Sequence, residues 1–313
     1  MKILVYTDGG KTSRRALRFA ARWTAQLGAD LAVATVRSET HAMETPPPLG
    51  REIPAGEWEG LSGGLHVLTA ATQQLAEEGL MPLPAGITIR ETPHSHTFAC
   101  PAARERKIGF HACFGSFVEA LNREIDRYRY DLLIVAPPRR SRVRRMLLGD
   151  TTRKLALDLH ASVLIVRGGG PESRPMVCSD GTAAGKRAFP LLQQLLPVLP
   201  QPVTLCWVRT PGADDAAAAR ADHCLSQAGK WLASCGKTSR MVQLESDHPA
   251  EAIAAAAGGD ALLVMGASMR HDVYRRTRGS LPMRVLARTS ASLLLSKAPP
   301  EADPGTYDGR FTC

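Results

Sequence analysis

Aromatic residues make up only 5% of this 313-residue chain, and no apolar run reaches the roughly 18 residues that a membrane-spanning helix needs. The N-terminus enters an apolar segment at once, without the charged-then-apolar pattern of a secretory leader, so the expected compartment is the cytoplasm. Seven cysteines, an odd number with no Cys-x-x-Cys, do not spell a disulfide framework. Cys178 and Cys206 sit in apolar contexts where Cys behaves as a small hydrophobe, and they read as core thiols. Catalytic signatures are missing too: there is no Gly-x-Ser-x-Gly, no His-x-x-x-His and no carboxylate pair at helical spacing. Gly10-Lys11-Thr12 looks like the end of a P-loop, but the position where that motif requires its first glycine is Val5. These absences set aside membrane proteins, disulfide scaffolds and the common hydrolases.

What is present is a repeat. An apolar strand, Ile3-Leu4-Val5-Tyr6, ends in Asp8-Gly9 and is followed by an Ala- and Arg-rich helix and a second strand, Leu31 to Val36. Met176-Val177-Cys178, Asp180-Gly181, a helix and Val203 to Val208 repeat that order. Farther along each half, Asp131-Leu132-Leu133-Ile134-Val135 is echoed by Asp260-Ala261-Leu262-Leu263-Val264, each followed by a basic segment, a Gly, a helical stretch and a last apolar strand. A period of roughly 150 residues is the size of a domain and not of a solenoid repeat. Short strands alternating with helices predict α/β architecture, with a parallel sheet covered on both faces, and the continuously apolar runs Leu132 to Val135, Val163 to Val166 and Leu262 to Met265 fit strands buried on both sides.

The expected organisation is a first domain over 1–168, a Gly-rich linker over 169–174, a second domain over 175–298 and a polar tail over 299–313. The first domain carries an insertion over about 40–107, with a helix marked by Leu61, Leu65, Leu68, Leu75 and Leu80 and a hairpin or lid beside the strand near Ile108 to His111.

The strand-Asp-Gly openings at Asp8 and Asp180 come with a Glu-Ala element in each half, Ser116-Phe117-Val118-Glu119-Ala120-Leu121 and His248-Pro249-Ala250-Glu251-Ala252-Ile253. Together with the strand-loop-helix-strand ending, these motifs resemble the universal stress protein family in its tandem form. The resemblance implies two doubly wound, Rossmann-like domains in tandem. It also implies a nucleotide loop spelled Gly, two residues, Gly, nine residues, Gly-Ser or Gly-Thr. Such a loop suits phosphate because glycine admits close backbone approach and the next helix offers N–H donors.

By that resemblance Asp180 lies near the nucleoside, the backbone of Val208 meets the base, and Gly266, Met269, Gly279, Ser280 and Leu281 carry the ribose and phosphate contacts of the second domain, Met269 standing where the loop has its second glycine. Pro282 suits the first turn of the helix that follows. The first half spells the loop as Ala136, Arg139, Gly149 and Asp150, with Asp150 read as a helix N-cap, so that Asp8 and Gly149 make a weaker, degenerate site. The implied ligand is ATP or a related adenine nucleotide, with Mg as a companion ion, in a sensing or regulatory protein where no more than weak ATP turnover is implied.

Two further groups of residues carry chemistry. Arg139, Arg140, Arg142, Arg144 and Arg145 in one half and Arg270, His271, Arg275, Arg276 and Arg278 in the other form basic loops at the same topological place, an anion-binding rim or else a solvated or ion-paired loop. They lack interleaved aromatics, which argues against nucleic acid despite the net charge of +9. His94, His96, Cys100, His111 and Cys113 have His-x-His and His-x-Cys spacings that suit zinc without spelling a standard motif. The rival readings are therefore a nucleotide-free interaction or dimerisation scaffold, and a metal-binding protein acting through the first-domain insertion. Two packed repeats are compatible with a self-sufficient monomer, a homodimer or a protein partner.

Overall fold

The computed structural model describes residues 1–38, 48–61, 63–102, 106–136, 158–212, 214–267 and 280–297. The chain divides into two compact units, Met1–Leu147 with Leu159–Ala161 and Leu148–Asp158 with Ser162–Cys313.

The first unit runs β1 (Lys2–Tyr6), α1 (Ser13–Leu27), β2 (Asp30–Arg37), β3 (Glu52–Pro54), α2 (Gly63–Glu77), β4 (Gly86–Thr88), β5 (Arg90–Thr92), β6 (Ser95–Pro101), β7 (Lys107–Phe114), α3 (Phe117–Tyr128) and β8 (Leu132–Val135). Strands lie in the order β8-β1-β2-β7-β6-β5. The first four are parallel, with Tyr6 opposite Ala34 and Val5 opposite Ile134, and their apolar runs are buried as both-face coverage requires. Helix α1 turns Ala16, Leu17, Phe19, Ala20 and Trp23 inward and leaves Arg14, Arg18 and Arg22, four residues apart, in water. It stops at Gly28, whose left-handed φ of 62° returns an N–H to the Thr24 carbonyl. β6 runs antiparallel to β7, and β5 antiparallel to β6, so the chain ahead of β7 folds as a hairpin laid along that strand. β3 and β4 form a separate antiparallel pair.

The second unit begins with β9 (Ser162–Ile165) and continues through β10 (Pro175–Cys178), α4 (Ala183–Lys186), α5 (Ala188–Leu195), β11 (Val203–Arg209), α6 (Asp215–Ser234), β12 (Ser239–Glu245), α7 (Pro249–Ala257), β13 (Leu262–Gly266), α8 (Leu281–Arg288) and β14 (Ser292–Ser296). Its order is β12-β11-β10-β13-β14-β9, all parallel except β9, which meets β14 antiparallel through Leu164 and Leu294. The strand foreseen at Val163 to Val166 thus forms, and it is hydrogen-bonded within this unit. In both sheets the strand order reverses beside the first strand, between β1 and β8 and between β10 and β13. Helical crossovers join the parallel strands on either side of that point, which is the doubly wound arrangement.

The glycine run before β10 is tightly packed. The Gly168 carbonyl accepts from Ser292 Oγ at 2.7 Å, a Cβ on Gly168 would come within 2.6 Å of the Ser290 carbonyl oxygen, and Gly170 N–H donates to Ser173 Oγ at 2.9 Å. These glycines admit close backbone contact. The tail expected over 299–313 lies outside the described residues.

Gly181 shows the same constraint at the end of β10: its φ is +72°, and a Cβ there would stand 2.6 Å from the Arg220 carbonyl oxygen. Gly212 has a φ of +75° with nothing within 4 Å. Gly181→Ala is expected to destabilise the second unit by roughly 2–4 kcal/mol, strain plus overlap, against about 1 kcal/mol for Gly212→Ala. Urea midpoints of the two variants check this, and equal shifts would refute the packing argument.

Candidate functional site

The two Asp-Gly turns are built identically. β10 ends at Cys178, and Ser179 N–H reaches the Cys206 carbonyl at 3.1 Å. Ser179 Oγ accepts from Gly181 N–H at 3.3 Å, and Asp180 Oδ1 accepts from the N–H and hydroxyl of Thr182 at 3.0 and 2.6 Å. In the first unit Thr7 N–H reaches the Ala34 carbonyl at 2.9 Å, Thr7 Oγ1 accepts from Gly9 N–H at 3.1 Å, and Asp8 Oδ1 accepts from Gly10 N–H at 2.9 Å. Each aspartate therefore uses one oxygen to close an Asx turn. The other oxygen of Asp180 makes no hydrogen bond among the described residues.

The hydrogen-bond alternation of β11 decides where Val208 points. The Cys206 carbonyl faces β10, and the Arg209 carbonyl faces β12, where it accepts from Ser246 N–H at 3.1 Å. Even-numbered residues of β11 thus present their backbone toward β10. β10 has ended by then, so the N–H and C=O of Val208 face the gap above its last residue with no strand to pair with among the described residues. In β2 the same alternation turns the backbone of Val36 over the end of β1.

Gly266 ends β13 beside this gap, since Met265 is opposite Cys178. A Cβ at Gly266 would overlap the Ala184 carbonyl oxygen of α4, so the glycine is explained by helix packing. Arg187 donates from Nη1 to the Ala267 carbonyl at 3.0 Å, and Ala267 N–H bonds the Ser296 carbonyl at 2.8 Å, which pins the first residue of the following loop. At the far end of that loop Ser280 is the N-cap of α8 in extended backbone, and its hydroxyl makes no capping bond. Its carbonyl accepts from Met283 and Arg284 N–H, and Leu281 and the buried Pro282 open the helix. Met269, Gly279, Arg278 and the rest of the second basic loop lie outside the described residues, as do Gly149, Asp150 and the first basic loop. Asp180, Val208 and Gly266 therefore share one end of the sheet, and Ser280 and Leu281 open α8, which leads to the start of β14.

The thiols below the crevice are buried. Cys178 and Cys206 stand opposite each other in register; the Cys178 thiol is pushed up by its hydrogen bond with Cys206 and by burial, and that same bond lowers Cys206. Tyr6, at the end of β1, is raised to about 12 by burial and then by Asp8, and it meets Phe117 edge-on at 4.8 Å. No sequence pattern marks this Tyr6-Phe117 contact, because it joins a strand end to a helix start far along the chain.

The five His and Cys positions of the hairpin are divided by the sheet. Register places His96 opposite Ala112 and Cys100 opposite Ile108, whereas Thr97 faces His111 and Ser95 faces Cys113. Directly opposed residues share a face. His96 and Cys100 are accordingly on one face, and His111 and Cys113 are on the other; His94 is exposed in the turn. Among the described residues no three His, Cys, Asp or Glu side chains gather where they could hold a metal. His111 instead brings Nδ1 to 2.8 Å from Glu124 Oε2, both side chains buried, and its ring meets Tyr128 edge-on at 5.0 Å. Burial raises the thiol of Cys100 to about 12 and pushes that of Cys113 up as well.

A model of the universal stress protein family matches residues 1–167. No curated protein matches the chain. Among solved structures, the chain is similar to a universal stress protein from Archaeoglobus fulgidus DSM 4304, with a TM-score of 0.63 at 16% identity over 96% of this chain and 97% of that one. A protein of unknown function from Pseudomonas aeruginosa PAO1 gives 0.60 at 13% identity over 95% and 92%. At these identities the likeness is one of fold. No helix among the described residues is long and apolar enough to cross a membrane.

His96 provides a pH test of the hairpin. Burial lowers its pKa, against the opposing pull of Glu91, so the folded chain holds it neutral while the unfolded chain takes up a proton near 6.5. The unfolded state then binds more protons as pH falls below 6.5, and stability falls with it. His96→Phe, which keeps the ring against Phe114, is expected to flatten the decline in first-unit stability between about pH 6.5 and 5, measured by urea unfolding. An unchanged slope would place the pH dependence elsewhere.

Proposed function

Because the chain belongs to the universal stress protein family, we propose that it binds an adenine nucleotide, ATP foremost, in the crevice of its second unit and works as a sensing or regulatory protein. The observation that carries this reading is the backbone of Val208, whose N–H and C=O face the gap above the end of β10. A donor and an acceptor on the same residue, with three bonds between N and O, suit the edge of an adenine ring. In this reading the uncommitted oxygen of Asp180 would accept from a ribose hydroxyl, and the hydroxyl of Ser280 at the start of α8, which makes no capping bond, would donate to phosphate. These groups fit a nucleoside and an anion. Magnesium has no comparable support, since Asp180 is already half committed to its turn. The residues bind and orient; nucleotide occupancy would act by favouring one of two conformations or assemblies.

A second reading rests on a specific observation. Gly266 is accounted for by its contact with Ala184, and Arg187 already holds the carbonyl that follows it. A scaffold without nucleotide would use this same packing.

Calorimetric titration separates the two. Wild-type protein is expected to bind ATP, Asp180→Ala to lose about tenfold in affinity (~1.4 kcal/mol) and Gly279→Asp to lose binding, while Asp8→Ala leaves it unchanged. No binding by the wild type, or equal binding by Gly279→Asp, would sink the nucleotide reading and leave the scaffold.

A further inference from the structure

The two units differ most at one edge of their sheets. In the first, β7 is parallel to β2 on one side and covered on the other by β6, antiparallel and in register from Ser95–Cys113 to Pro101–Lys107. The equivalent strand of the second unit is β12, parallel to β11 from Ser239 to Glu245; among the described residues it pairs with β11 alone. The unit with the hairpin has its edge closed, and the unit without it has the edge open.

An open edge is usually guarded by proline, a bulge or an outward lysine. β12 contains no proline, and its register with β11 is unbroken over the whole strand. Its one cation, Arg240, is drawn back onto β11, where Nε donates to Thr204 Oγ1 at 3.0 Å. Met241 is 51% exposed, one of three large apolar side chains so exposed among the described residues.

The hydrogen-bond alternation fixes which backbone groups are open. The Thr238 carbonyl and Ser246 N–H are used toward β11, so even-numbered residues face inward and Ser239, Met241, Gln243 and Glu245 face out. An antiparallel partner must oppose outward residues to outward residues. If the partner is a second β12, the two-fold axis passes through one of these four or through one of the inward-facing residues between them. An axis on Met241 sets Met241 against the partner's Met241 and Ser239 against the partner's Gln243. It also brings Lys237 toward the partner's Glu245. Among these outward residues apolar meets apolar, polar meets polar and opposite charges meet at both ends, while Arg240 lies opposite the partner's Val242. An axis on Gln243 would instead set Met241 against a carboxylate, one on Arg240 would oppose two guanidinium groups, one on Val242 would set Met241 against the partner's Gln243 and Ser239 against the partner's Glu245, and one on Ser239, Leu244 or Glu245 would shorten the ladder. Lys237 Nζ gives one hydrogen to the Leu199 carbonyl and keeps two more.

We infer that β12 is an interaction surface for a second copy of this chain, with the two strands adding antiparallel across a two-fold axis at Met241. The contact is isologous and closes at two copies. It leaves the crevice at the end of β10 and β13 untouched, so it does not depend on nucleotide binding.

The test uses the full chain. Sedimentation velocity over a dilution series is expected to show a monomer–dimer equilibrium, and Met241→Lys, which sets two ammonium groups at the axis, to weaken dimerisation at least about tenfold. Met241→Cys is expected to cross-link into a covalent dimer under mild oxidation, while Leu83→Cys, equally exposed in the first unit, does not; this arm decides the matter if Met241→Lys fails to fold. Amide exchange at Ser239, Met241 and Gln243 should slow as concentration rises. A wild type that stays monomeric at all concentrations would overturn the proposal. So would a dimer indifferent to Met241→Lys that also fails to cross-link at position 241. Slow exchange of those amides in the monomer would overturn it as well, because the edge would then be covered from within the same chain.

Discussion

In each unit the first strand of the sheet stops short of its neighbour, and the candidate site depends on that difference in length. β10 ends at Cys178 while β11 continues to Arg209; β1 ends at Tyr6 while β2 continues to Arg37. The ladder that keeps the core strands satisfied thereby leaves donors and acceptors facing a gap, where an unpaired group has a cost unless water or a ligand meets it. The turn that ends the short strand is equally determined. Ser179 or Thr7 caps the glycine N–H, the aspartate caps the next N–H, and a left-handed glycine turns the chain away. The duplicated Asp-Gly is thus first a structural device for stopping a strand, and its aspartate has one oxygen left for anything else.

Much of this was legible in the sequence because it is local. Apolar runs bounded by Asp-Gly marked the strands, and the alternation of strand and helix marked the parallel sheets. The Glu-Ala element at Ser116 to Leu121 falls at the start of α3, where the Ser116 hydroxyl donates to the Glu119 carboxylate at 2.6 Å. The features that escaped are set by register or by contact across the chain. His96 and His111 look like ligands of one site until the pairing of β6 with β7 puts them on opposite faces. Gly266 looks like a phosphate glycine, and the Ala184 carbonyl against it gives a second reason for the same residue. The run from Gly168 to Gly170 looks like slack chain, yet it is small because the Ser290 carbonyl and the Ser292 side chain lie against it. In each case the residue type is compatible with two environments, and only the partner distinguishes them.

The hairpin that covers β7 brings a second consequence for the first unit. Extending the sheet buries Phe98 against Phe110, stacked at 4.7 Å, while on the other face His111 of β7 lies buried against Glu124 of α3. His111 Nδ1 and Glu124 Oε2 approach to 2.8 Å without a well-formed hydrogen bond, and removing either side chain would leave the other buried alone. The second unit has no such pair at β12, where the strand remains half in water.

The antiparallel meeting of β9 with β14 also bears on how the duplicated chain can be divided. Cutting at the glycine run, where the sequence looks weakest, would take β9 from the second unit and leave Leu293, Leu294 and Leu295 with a bare flank on the side that β9 now occupies. A second half cut there would therefore lack the strand that flanks β14. A gene fusion or a protease acting at the seam would release a second half prone to pair with whatever strand it met first.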